Sequence, residues 1–267
     1  MSTTDQAVII WGEILWDRFP DGAQLGGAPS NVAWHLGMAG GWARLVSRVG
    51  DDDDGRRAIA RLGEVCDTSL VQIDPERATG VVEVTVEHGE PRYQLVADRA
   101  WERIACTDDV IGALGEASVL IYGTLAQRTA AGLEGWRAGM NAAHGRCLKV
   151  CDVNLRKAGT EINESVAVLA ALERADMVKV NDRELASLAD WLGWADPIRE
   201  LRKRPRVVAV THGAAGATLY GPDAATPGIE IPGTAAKPGG DNVGCGDAVL
   251  AILVHGMTLG WDFAQCG

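Results

Sequence analysis

The stretch DMVKVNDRELASLADWLG (176–193) contains the two kinds of element from which we predict the fold. It begins with a short apolar run that is typical of a buried strand, and it continues with residues that repeat at the period of a helix. Apolar runs of the same kind recur along the chain, separated by roughly 25–35 residues with helix patterns between them. The other runs are AVIIWG (7–12), ARLVSRVG (43–50), SVLIYG (118–123), LKVCDV (148–153) and RVVAVT (206–211). This order predicts βαβ units, a largely parallel sheet and helices on both of its faces.

One region departs from this rhythm and predicts a second, smaller sheet. The segment TGVVEVTVEHGEPRYQLVADRAW (79–101) alternates between apolar and polar residues, turns at residues 88–91 and alternates again. This pattern is typical of a β-hairpin with one polar face. Together with residues 13–25, the hairpin is expected to form a flap over one end of the main sheet. We therefore divide the chain into an α/β core of residues 1–12, 26–78 and 101–267, and a β lid of residues 13–25 and 79–100.

Polar and glycine residues follow several of the apolar runs, at the point where each predicted strand ends. They are GTLAQR (123–128), DVNLR (152–156), NDRE (181–184) and THGAAG (211–216). Connecting loops are polar in most proteins, which explains part of this pattern. Open α/β sheets bind their ligands at the carboxyl ends of the strands, however, so four such loops in succession predict one shared cleft.

The charge and composition of the chain limit the partners that we expect. Its 267 residues suit one α/β domain, and its formal charge is 25 − 36 = −11, with no basic tract. This balance argues against nucleic acid or an anionic membrane as the main partner. An acidic protein can still bind a phosphate compound through backbone N–H groups. Scattered cysteines, an N-terminus without the features of a signal peptide and no stretch long enough to span a bilayer predict a soluble cytoplasmic protein.

Several common catalytic motifs are absent from the sequence. There is no G-x-x-x-x-G-K-[ST], no G-x-G-x-x-G, no G-x-S-x-G and no H-E-x-x-H. These absences exclude a P-loop and remove the main support for a nicotinamide oxidoreductase, a serine hydrolase or a zinc protease. The five histidines show no spacing typical of metal ligands, and we treat them as surface or packing residues.

The stretch GGDNVGCGDAVLA (239–251) places a glycine-rich loop directly before an apolar helical run. Unpaired N–H groups and the positive end of the helix dipole favour an anion at such a position. Asp247, in the first turn, has two interpretations. It is either a base that takes a proton from a hydroxyl beside a bound phosphate, or a carboxylate that stabilises the helix start by roughly 0.3–1 kcal/mol. The stretch taken alone fits both interpretations.

The same loop resembles the C-terminal motif of the PfkB, or ribokinase-like, carbohydrate kinases, in which D-T-x-G-A-G-D ends on the catalytic aspartate. This chain has D-N-V-G-C-G-D at 241–247, which keeps both glycines and the aspartate. The resemblance implies that Asp247 is the catalytic base. It also implies that the backbone N–H groups of Gly244, Cys245 and Gly246 hold the transferring phosphoryl group.

Two stretches near the N-terminus resemble the sugar-binding part of this family. LGGAPSNVAWHLGMAGG (25–41) is similar to its di-glycine turn and helix-starting Asn, although the residues alone indicate only a turn and a helix start. GEILWD (12–17) is similar to its opening strand, which ends in a substrate-binding Asp. DVNLR (152–156) resembles the D-P-N-x-R run of the fructokinase-like branch. The sugar-binding residues implied by these similarities are Asp17, Gly26, Gly27, Asn31 and Arg156.

Two further motifs resemble the nucleotide site of the family. THGAAGA (211–217) is similar to a T-x-G-x-x-G loop that lies along the nucleotide phosphates. NDRE (181–184) is similar to an N-x-x-E motif that organises Mg²⁺ and its waters, although the same pattern is also a capping box at a helix start. The residues implied for the nucleotide are Asn181, Glu184, Thr211, Gly213 and Gly216; those implied for metals are Asn181 and Glu184 for Mg²⁺, through water, and Asp241 and Val243 for a monovalent cation.

The sugar motif, N-x-x-E, T-x-G-x-x-G and the closing G-x-G-D occur in the family's order along the chain. This order implies a ribokinase-like three-layer α/β/α fold with a mostly parallel central sheet and a small β-sheet lid. The implied enzyme is an ATP-dependent sugar kinase that uses ATP, Mg²⁺ and K⁺ and transfers the γ-phosphate to a primary hydroxyl. Its partners are then a sugar and ATP, with no nucleic acid or membrane, and a homodimer through the lid is expected. Fructose is the first candidate substrate. Ribose, 2-keto-3-deoxygluconate and a nucleoside remain alternatives, as does a non-catalytic sugar or nucleotide sensor on the same fold.

Members of the family usually continue for some tens of residues past the catalytic aspartate. Those residues form helices that line the adenine pocket and a monovalent-cation site. Because this sequence ends at Gly267, we expect both features to be incomplete in it.

Overall fold

Thirteen strands and eight α-helices are found in the part of the chain that the structure, a computed structural model, describes: residues 7–87, 90–155, 164–203, 206–223, 225–234, 244–262 and 265. The strands are β1 (Val8–Trp11), β2 (Leu15–Phe19), β3 (Gly22–Gly26), β4 (Ala43–Gly50), β5 (Val71–Asp74), β6 (Gly80–Glu87), β7 (Glu90–Leu95), β8 (Val119–Tyr122), β9 (Leu148–Asp152), β10 (Met177–Asn181), β11 (Val207–Thr211), β12 (Gly216–Tyr220) and β13 (Ile229–Pro232). The helices are α1 (Ala28–Met38), α2 (Asp53–Leu62), α3 (Asp108–Glu116), α4 (Ala130–Ala142), α5 (Glu164–Arg174), α6 (Asp182–Leu192), α7 (Pro197–Leu201) and α8 (Cys245–Thr258).

Nine strands of the described chain form the central sheet, in the order β13-β12-β11-β10-β9-β8-β1-β4-β5. The seven strands β11, β10, β9, β8, β1, β4 and β5 are parallel to their neighbours. β12 pairs with β11, and β13 with β12, in antiparallel fashion. Parallel neighbours need crossover connections, which the helices supply. The carboxyl ends of β1, β8, β9, β10 and β11 therefore meet at one edge of the sheet, where ligands bind in open α/β folds.

Alternate residues of each central strand pack against different helices, and this gives the core its three layers. Val150 belongs to an apolar cluster with residues of α1, α2 and α8, whereas Cys151 belongs to a cluster with residues of α3 to α7. Successive side chains of a strand point to opposite faces, so residues two apart share a layer. Asp152 and Lys179, two residues after Val150 and Met177, are therefore on the side of α1 and α8.

A second sheet consists of the strands β3-β2-β6-β7, in that order, and we call these four strands the lid. β2 pairs with β3 and β6 pairs with β7 in antiparallel fashion, while β2 and β6 join the two hairpins in parallel. Leu15, Val82 and Val84 form a small buried apolar cluster on this sheet. The residue boundaries that divide core from lid, and the role of the lid as a cover, stay predictions.

The predicted fold class is confirmed, since a mostly parallel sheet lies between two layers of helices and a smaller β-sheet accompanies it. All six apolar runs form strands of the central sheet. The apolar pattern of the sequence does not predict β5, β12 or β13, which lie toward the two ends of the sheet. Their partly exposed residues interrupt the apolar pattern that identifies a buried strand. Among the described residues, no helix is long and apolar enough to cross a membrane.

Candidate active site

The loop before α8 ends in Gly244, whose backbone has a φ of 76°. A residue with a Cβ rarely adopts this left-handed conformation, so the backbone itself requires glycine here. Cys245, which is exposed, and Gly246 form the first turn of α8 with Asp247. The first N–H groups of a helix have no acceptor within the helix, and they lie at the positive end of its dipole, so this turn is a candidate position for an anion.

Asp247 is buried at this helix start, with only 8% of its surface exposed. Its Oδ2 accepts a hydrogen bond from Nδ2 of Asn31 at 2.8 Å, although the two residues are 216 positions apart in sequence. Asn31 lies in the first turn of α1, and α1 and α8 pack against each other. The amino ends of two helices therefore meet at the predicted base, and one of them contributes a predicted sugar-binding residue.

The two glycines before α1 allow the chain to pass close to its neighbours. Gly27 precedes the helix with a φ of 97°, and a Cβ at this position would lie 2.6 Å from the carbonyl oxygen of Glu13. A Cβ on Gly26 would collide with Oδ2 of Asp17. Of the predicted sugar-binding residues, Asp17, Gly26 and Gly27 are thus brought together where the lid meets the core, and Asn31 is one helical turn away.

A buried ion pair lies beneath the first turn of α8, and the sequence motifs do not predict it. Lys179 of β10 is in register with Asp152 of β9, so their side chains stand next to each other on one face of the sheet. Lys179 Nζ is 3.0 Å from Oδ1 and 3.2 Å from Oδ2 of Asp152, and the two residues are 4% and 3% exposed. A Cβ on Gly246 would lie 2.7 Å from this Nζ. Lys179 therefore adds a positive charge directly below the predicted phosphate site.

The surrounding carboxylates keep this amine charged. Burial alone would lower the pKa of Lys179, but Asp152, Glu184 and Asp247 more than offset it, so the pKa is raised above its usual value. The Glu184 carboxyl shows a different balance. Burial raises its pKa, although the backbone N–H of Asn181 favours its charged form. The Lys179 amine is therefore positively charged at neutral pH, and the Glu184 carboxyl is protonated more easily than usual.

Asn181 and Glu184 form the capping box that begins α6. Oδ1 of Asn181 accepts from the N–H of Glu184 at 2.9 Å, and Oε2 of Glu184 accepts from the N–H of Asn181 at 2.9 Å. Oε1 of Glu184 also accepts from the N–H of Leu155 at 3.1 Å. Because these oxygens are engaged with the backbone, the pair fits a hydrated Mg²⁺ held through water, as this ion keeps several of its waters. No group of three His, Cys, Asp or Glu side chains suited to a metal occurs within the described residues.

The predicted nucleotide loop follows β11, next to this capping box. Thr211 is in register with Asn181, which places two predicted nucleotide-binding residues side by side. Gly213 and Gly216 have φ values of 59° and 106°, and a Cβ on Gly216 would collide with the backbone at Ile231. Both glycines are therefore required by the conformation of the loop.

His212, between these residues, links the loop to two other elements. Its Nδ1 is 2.7 Å from Oδ1 of Asp182 in α6, and its Nε2 is 2.8 Å from Oγ1 of Thr218 in β12. From the sequence, all five histidines are expected to be surface or packing residues. The structure shows that this one holds the loop against α6, and no local pattern in the sequence indicates that contact.

Three of the predicted site residues lie outside the described residues: Arg156, Asp241 and Val243.

Lys179 is the main site residue that no motif indicates, but the sequence does carry a signal for it. It is the one cation within the apolar run DMVKV, and a charge within a buried strand is rare unless it is paired.

The sequence of residues 22–267 matches the family model described as pfkB family carbohydrate kinase. The chain belongs to the pfkB family. This pfkB kinase is 28% identical to Fructokinase-1 of Zea mays, over 96% of its own length and 84% of that protein. It is 28% identical to a putative sugar kinase of Pyrococcus horikoshii, over 95% and 78% of the two chains. A solved structure of a Pyrococcus horikoshii sugar kinase in complex with ATP matches it with a TM-score of 0.83 at 26% identity, covering 97% of this chain and 88% of that one.

These comparisons confirm the predicted family and the ribokinase-like fold class, and they show that this pfkB protein is a carbohydrate kinase. For Asp247, Asn31 and the other predicted site residues, the structure provides positions and contacts, and their functions stay predictions.

Proposed function

We propose that this pfkB kinase transfers the γ-phosphate of ATP to a primary hydroxyl of a small sugar, with fructose as the first candidate. The observation that carries the proposal is the meeting of the α1 and α8 amino ends at Asp247, with Asn31 2.8 Å away. ATP as the donor is supported by the Pyrococcus horikoshii sugar kinase, whose structure contains ATP. Fructose is supported by the Zea mays relative, a fructokinase.

In the proposed reaction, Asp247 accepts the proton of the sugar hydroxyl while the hydroxyl oxygen attacks the γ-phosphorus. The bond between the γ-phosphorus and the bridging oxygen breaks, and ADP leaves with that electron pair. The N–H groups of Gly244, Cys245 and Gly246 and the amine of Lys179 stabilise the negative charge of the transferring phosphoryl group. Phosphoryl transfer depends mainly on positioning and electrostatics, so a carboxylate base, backbone N–H groups and an amine are the kinds of group that the reaction needs.

The remaining predicted residues would bind the two substrates. Asp17, Gly26, Gly27 and Asn31 would hold the sugar between lid and core, and the loop from Thr211 to Gly216 would follow the nucleotide phosphates. When bound, Mg²⁺ neutralises charge on those phosphates, and Asn181 and Glu184 would hold it through water. A K⁺ site at Asp241 and Val243 stays a prediction, because both residues lie outside the described chain.

The identity of the sugar needs a direct test, since ribose, 2-keto-3-deoxygluconate and nucleosides also carry a primary hydroxyl. ADP release should be measured with ATP, Mg²⁺ and K⁺ for fructose, ribose, ketodeoxygluconate and adenosine. Fructose-dependent ADP release is the expected result. ADP release with another acceptor would replace fructose but keep the kinase, whereas sugar binding without any ADP release would indicate a sensor.

Asp247→Asn tests the proposed base. We expect turnover to fall by about 10²–10⁴-fold, because the amide cannot accept the proton, while the fold and sugar binding are retained. The control is Asp108→Asn, which changes an exposed aspartate in the first turn of α3. Turnover should be unchanged in this control. Wild-type turnover in Asp247→Asn would refute the mechanism.

The homodimer through the lid also stays a prediction. Within the described chain, β3 and β7 each pair with one neighbour, so both leave an outer edge at which a strand of a second copy would add. Sedimentation velocity at two protein concentrations measures the oligomeric state.

A further inference from the structure

The hydrogen bond between Asn31 and Asp247 joins a residue predicted to read the sugar to the residue predicted to deprotonate it. Asn31 Nδ2 donates to Asp247 Oδ2 at 2.8 Å, in a partly buried position. An N–H that donates to a carboxylate stabilises its charged form and restricts its orientation. This bond forms because α1 and α8 pack together.

The helix start that carries Asn31 is itself held firmly. The backbone N–H of Ala28 donates to Oε1 of Glu13 at 3.2 Å, and Oγ of Ser30 donates to the Glu13 carbonyl at 3.0 Å. The N–H of Asn31 donates to the carbonyl of Gly27 at 2.9 Å, which closes the first turn. Glu13 is only 3% exposed, so these bonds lie away from solvent. The Asn31 amide is therefore presented to Asp247 from a fixed backbone.

We propose that Asn31 is a positioning residue for Asp247, in addition to its expected contact with the sugar. Its amide N–H holds the carboxylate in the orientation in which it meets the acceptor hydroxyl, and it keeps that carboxylate ionised until the proton is transferred. Sugar recognition and base activation then depend on one side chain. This inference rests on the proposed function, because it assigns Asp247 the role of base.

Other charged or titratable groups lie near Asp247, and the test must separate their effect on its titration from that of Asn31. From β10, the Lys179 amine lies under the first turn of α8, and its charge interacts with Asp247. From α1, Nε2 of His35 lies 3.7 Å from the position of a Cβ on Gly244. From β9, Asp152 is paired with Lys179. None of these groups is changed by a substitution of Asn31, so a shift in titration would report the lost amide.

The test is the pH dependence of kcat in Asn31→Ala and Asn31→Asp, with saturating sugar and ATP. We expect kcat at the optimum to fall about 10- to 100-fold in Asn31→Ala, because the base is no longer oriented. The acid limb of the kcat profile should move up by about one pH unit, since removing the donor makes Asp247 easier to protonate. Asn31→Asp should move it further, because a second carboxylate then faces the first.

Met38→Ala is the control, since it alters an exposed residue at the carboxyl end of the same helix and leaves the Asn31 amide and the helix start in place. Its acid limb should coincide with that of the wild type. An Asn31→Ala variant with a higher sugar KM but an unshifted acid limb would overturn the proposal and leave Asn31 as a sugar contact only.

A second measurement keeps this outcome separate from failure of the proposed function. The Asp247 carboxyl can be titrated by ¹³C NMR in protein labelled at aspartate, with its signal assigned by its loss in Asp247→Asn. This titration needs no turnover. If it shifts upward in Asn31→Ala while the wild type releases no ADP with any sugar, the contact is confirmed and the kinase mechanism fails. An unshifted titration would overturn the positioning role whatever the activity.

Discussion

Lys179 places a buried charge where it is unfavourable for stability but useful for the proposed phosphoryl transfer. A buried ion pair loses the hydration of both charges, and an apolar pair of similar size is often as stable or more stable. The Lys179–Asp152 pair is nonetheless placed under Gly246, where a phosphoryl group is expected to carry negative charge. We infer that the ion pair serves phosphoryl transfer, and that it gives no net gain in stability over an uncharged pair.

Substitution of both partners separates these two contributions. Lys179→Met is expected to lower the free energy of unfolding by about 3–5 kcal/mol, because Asp152 is left buried without its partner. Adding Asp152→Asn removes the second charge and should restore most of that stability. Turnover should stay at least about 10²-fold below the wild type in the double variant, because the cation is still missing. Urea unfolding and kcat on the same samples measure both effects.

Lys149→Met is a suitable control for this experiment. Lys149 lies in β9, three residues before Asp152, and its Nζ donates to the carbonyl of Cys147. Its substitution should leave kcat at the wild-type value. If kcat of the Lys179→Met/Asp152→Asn variant returned to that value together with stability, Lys179 would act only on folding.

At the scale of elements, the start of α2 is joined to the lid by one carboxylate. Asp52 Oδ1 accepts from the N–H of Gly55 at 2.8 Å and from the Thr79 hydroxyl at 2.6 Å, and its Oδ2 accepts from the N–H of Thr79 at 2.8 Å. Thr79 directly precedes β6 of the lid. Burial opposes the charged form, but the bonds from Thr79 and Gly55 outweigh it, so the pKa of Asp52 lies below its usual value.

This lowered pKa predicts how stability depends on pH. Asp52→Ala should reduce the free energy of unfolding by about 1–2 kcal/mol at neutral pH, because a helix cap and its bonds to Thr79 are lost. A carboxyl whose pKa is lower in the folded state stabilises the fold above its unfolded pKa of about 3.9 and loses that effect as the pH falls through the folded value. The difference between variant and wild type should therefore be constant from about pH 7 to pH 5 and shrink below about pH 4.

Chemical denaturation across this pH range measures that difference, and Asp53→Ala provides the control. The Asp53 side chain is 91% exposed and pairs only with Arg56 among the described contacts, so its removal should change stability by less than about 0.5 kcal/mol. A penalty for Asp52→Ala that persisted unchanged to pH 3 would mean that the charge of Asp52 contributes nothing.

The sequence predicts the features that depend on residues close together in the chain, and it does not predict contacts between residues far apart in it. The six buried strands and the lid hairpin follow from local apolar patterns, and Asp247 and Asn31 follow from short motifs. Lys179 and Asp152, in contrast, are 27 residues apart and meet because β9 and β10 pair in one register. Neither strand alone specifies that register. The contact of Asn31 with Asp247 likewise requires the packing of α1 on α8, which no motif describes.

At the scale of the whole molecule, the chain passes between lid and core at the predicted sugar-binding turn, Gly26 and Gly27, and at the neighbouring residues 12–14. β1 ends at Trp11 and β2 begins at Leu15, while β3 ends at Gly26 and α1 begins at Ala28. β6 is fitted closely to the core at its start, since a Cβ on Gly80 would lie 2.6 Å from Cδ1 of the buried Trp101. A ligand bound at Gly26 and Gly27 would therefore contact both parts of the molecule at once.

Because the sugar would contact both parts, its binding should stabilise the lid against the core and exclude water from the phosphoryl group. Hydrogen–deuterium exchange with and without fructose measures this directly. We expect slower exchange in residues 15–19 and 80–87 with fructose, and no change in residues 119–122 of the fully buried β8. Asp247→Asn should show the same protection, since binding precedes proton transfer. Fructose-dependent ADP release without any added protection of these lid strands would mean that the lid does not close on the sugar, and water would then have to be excluded by the core alone.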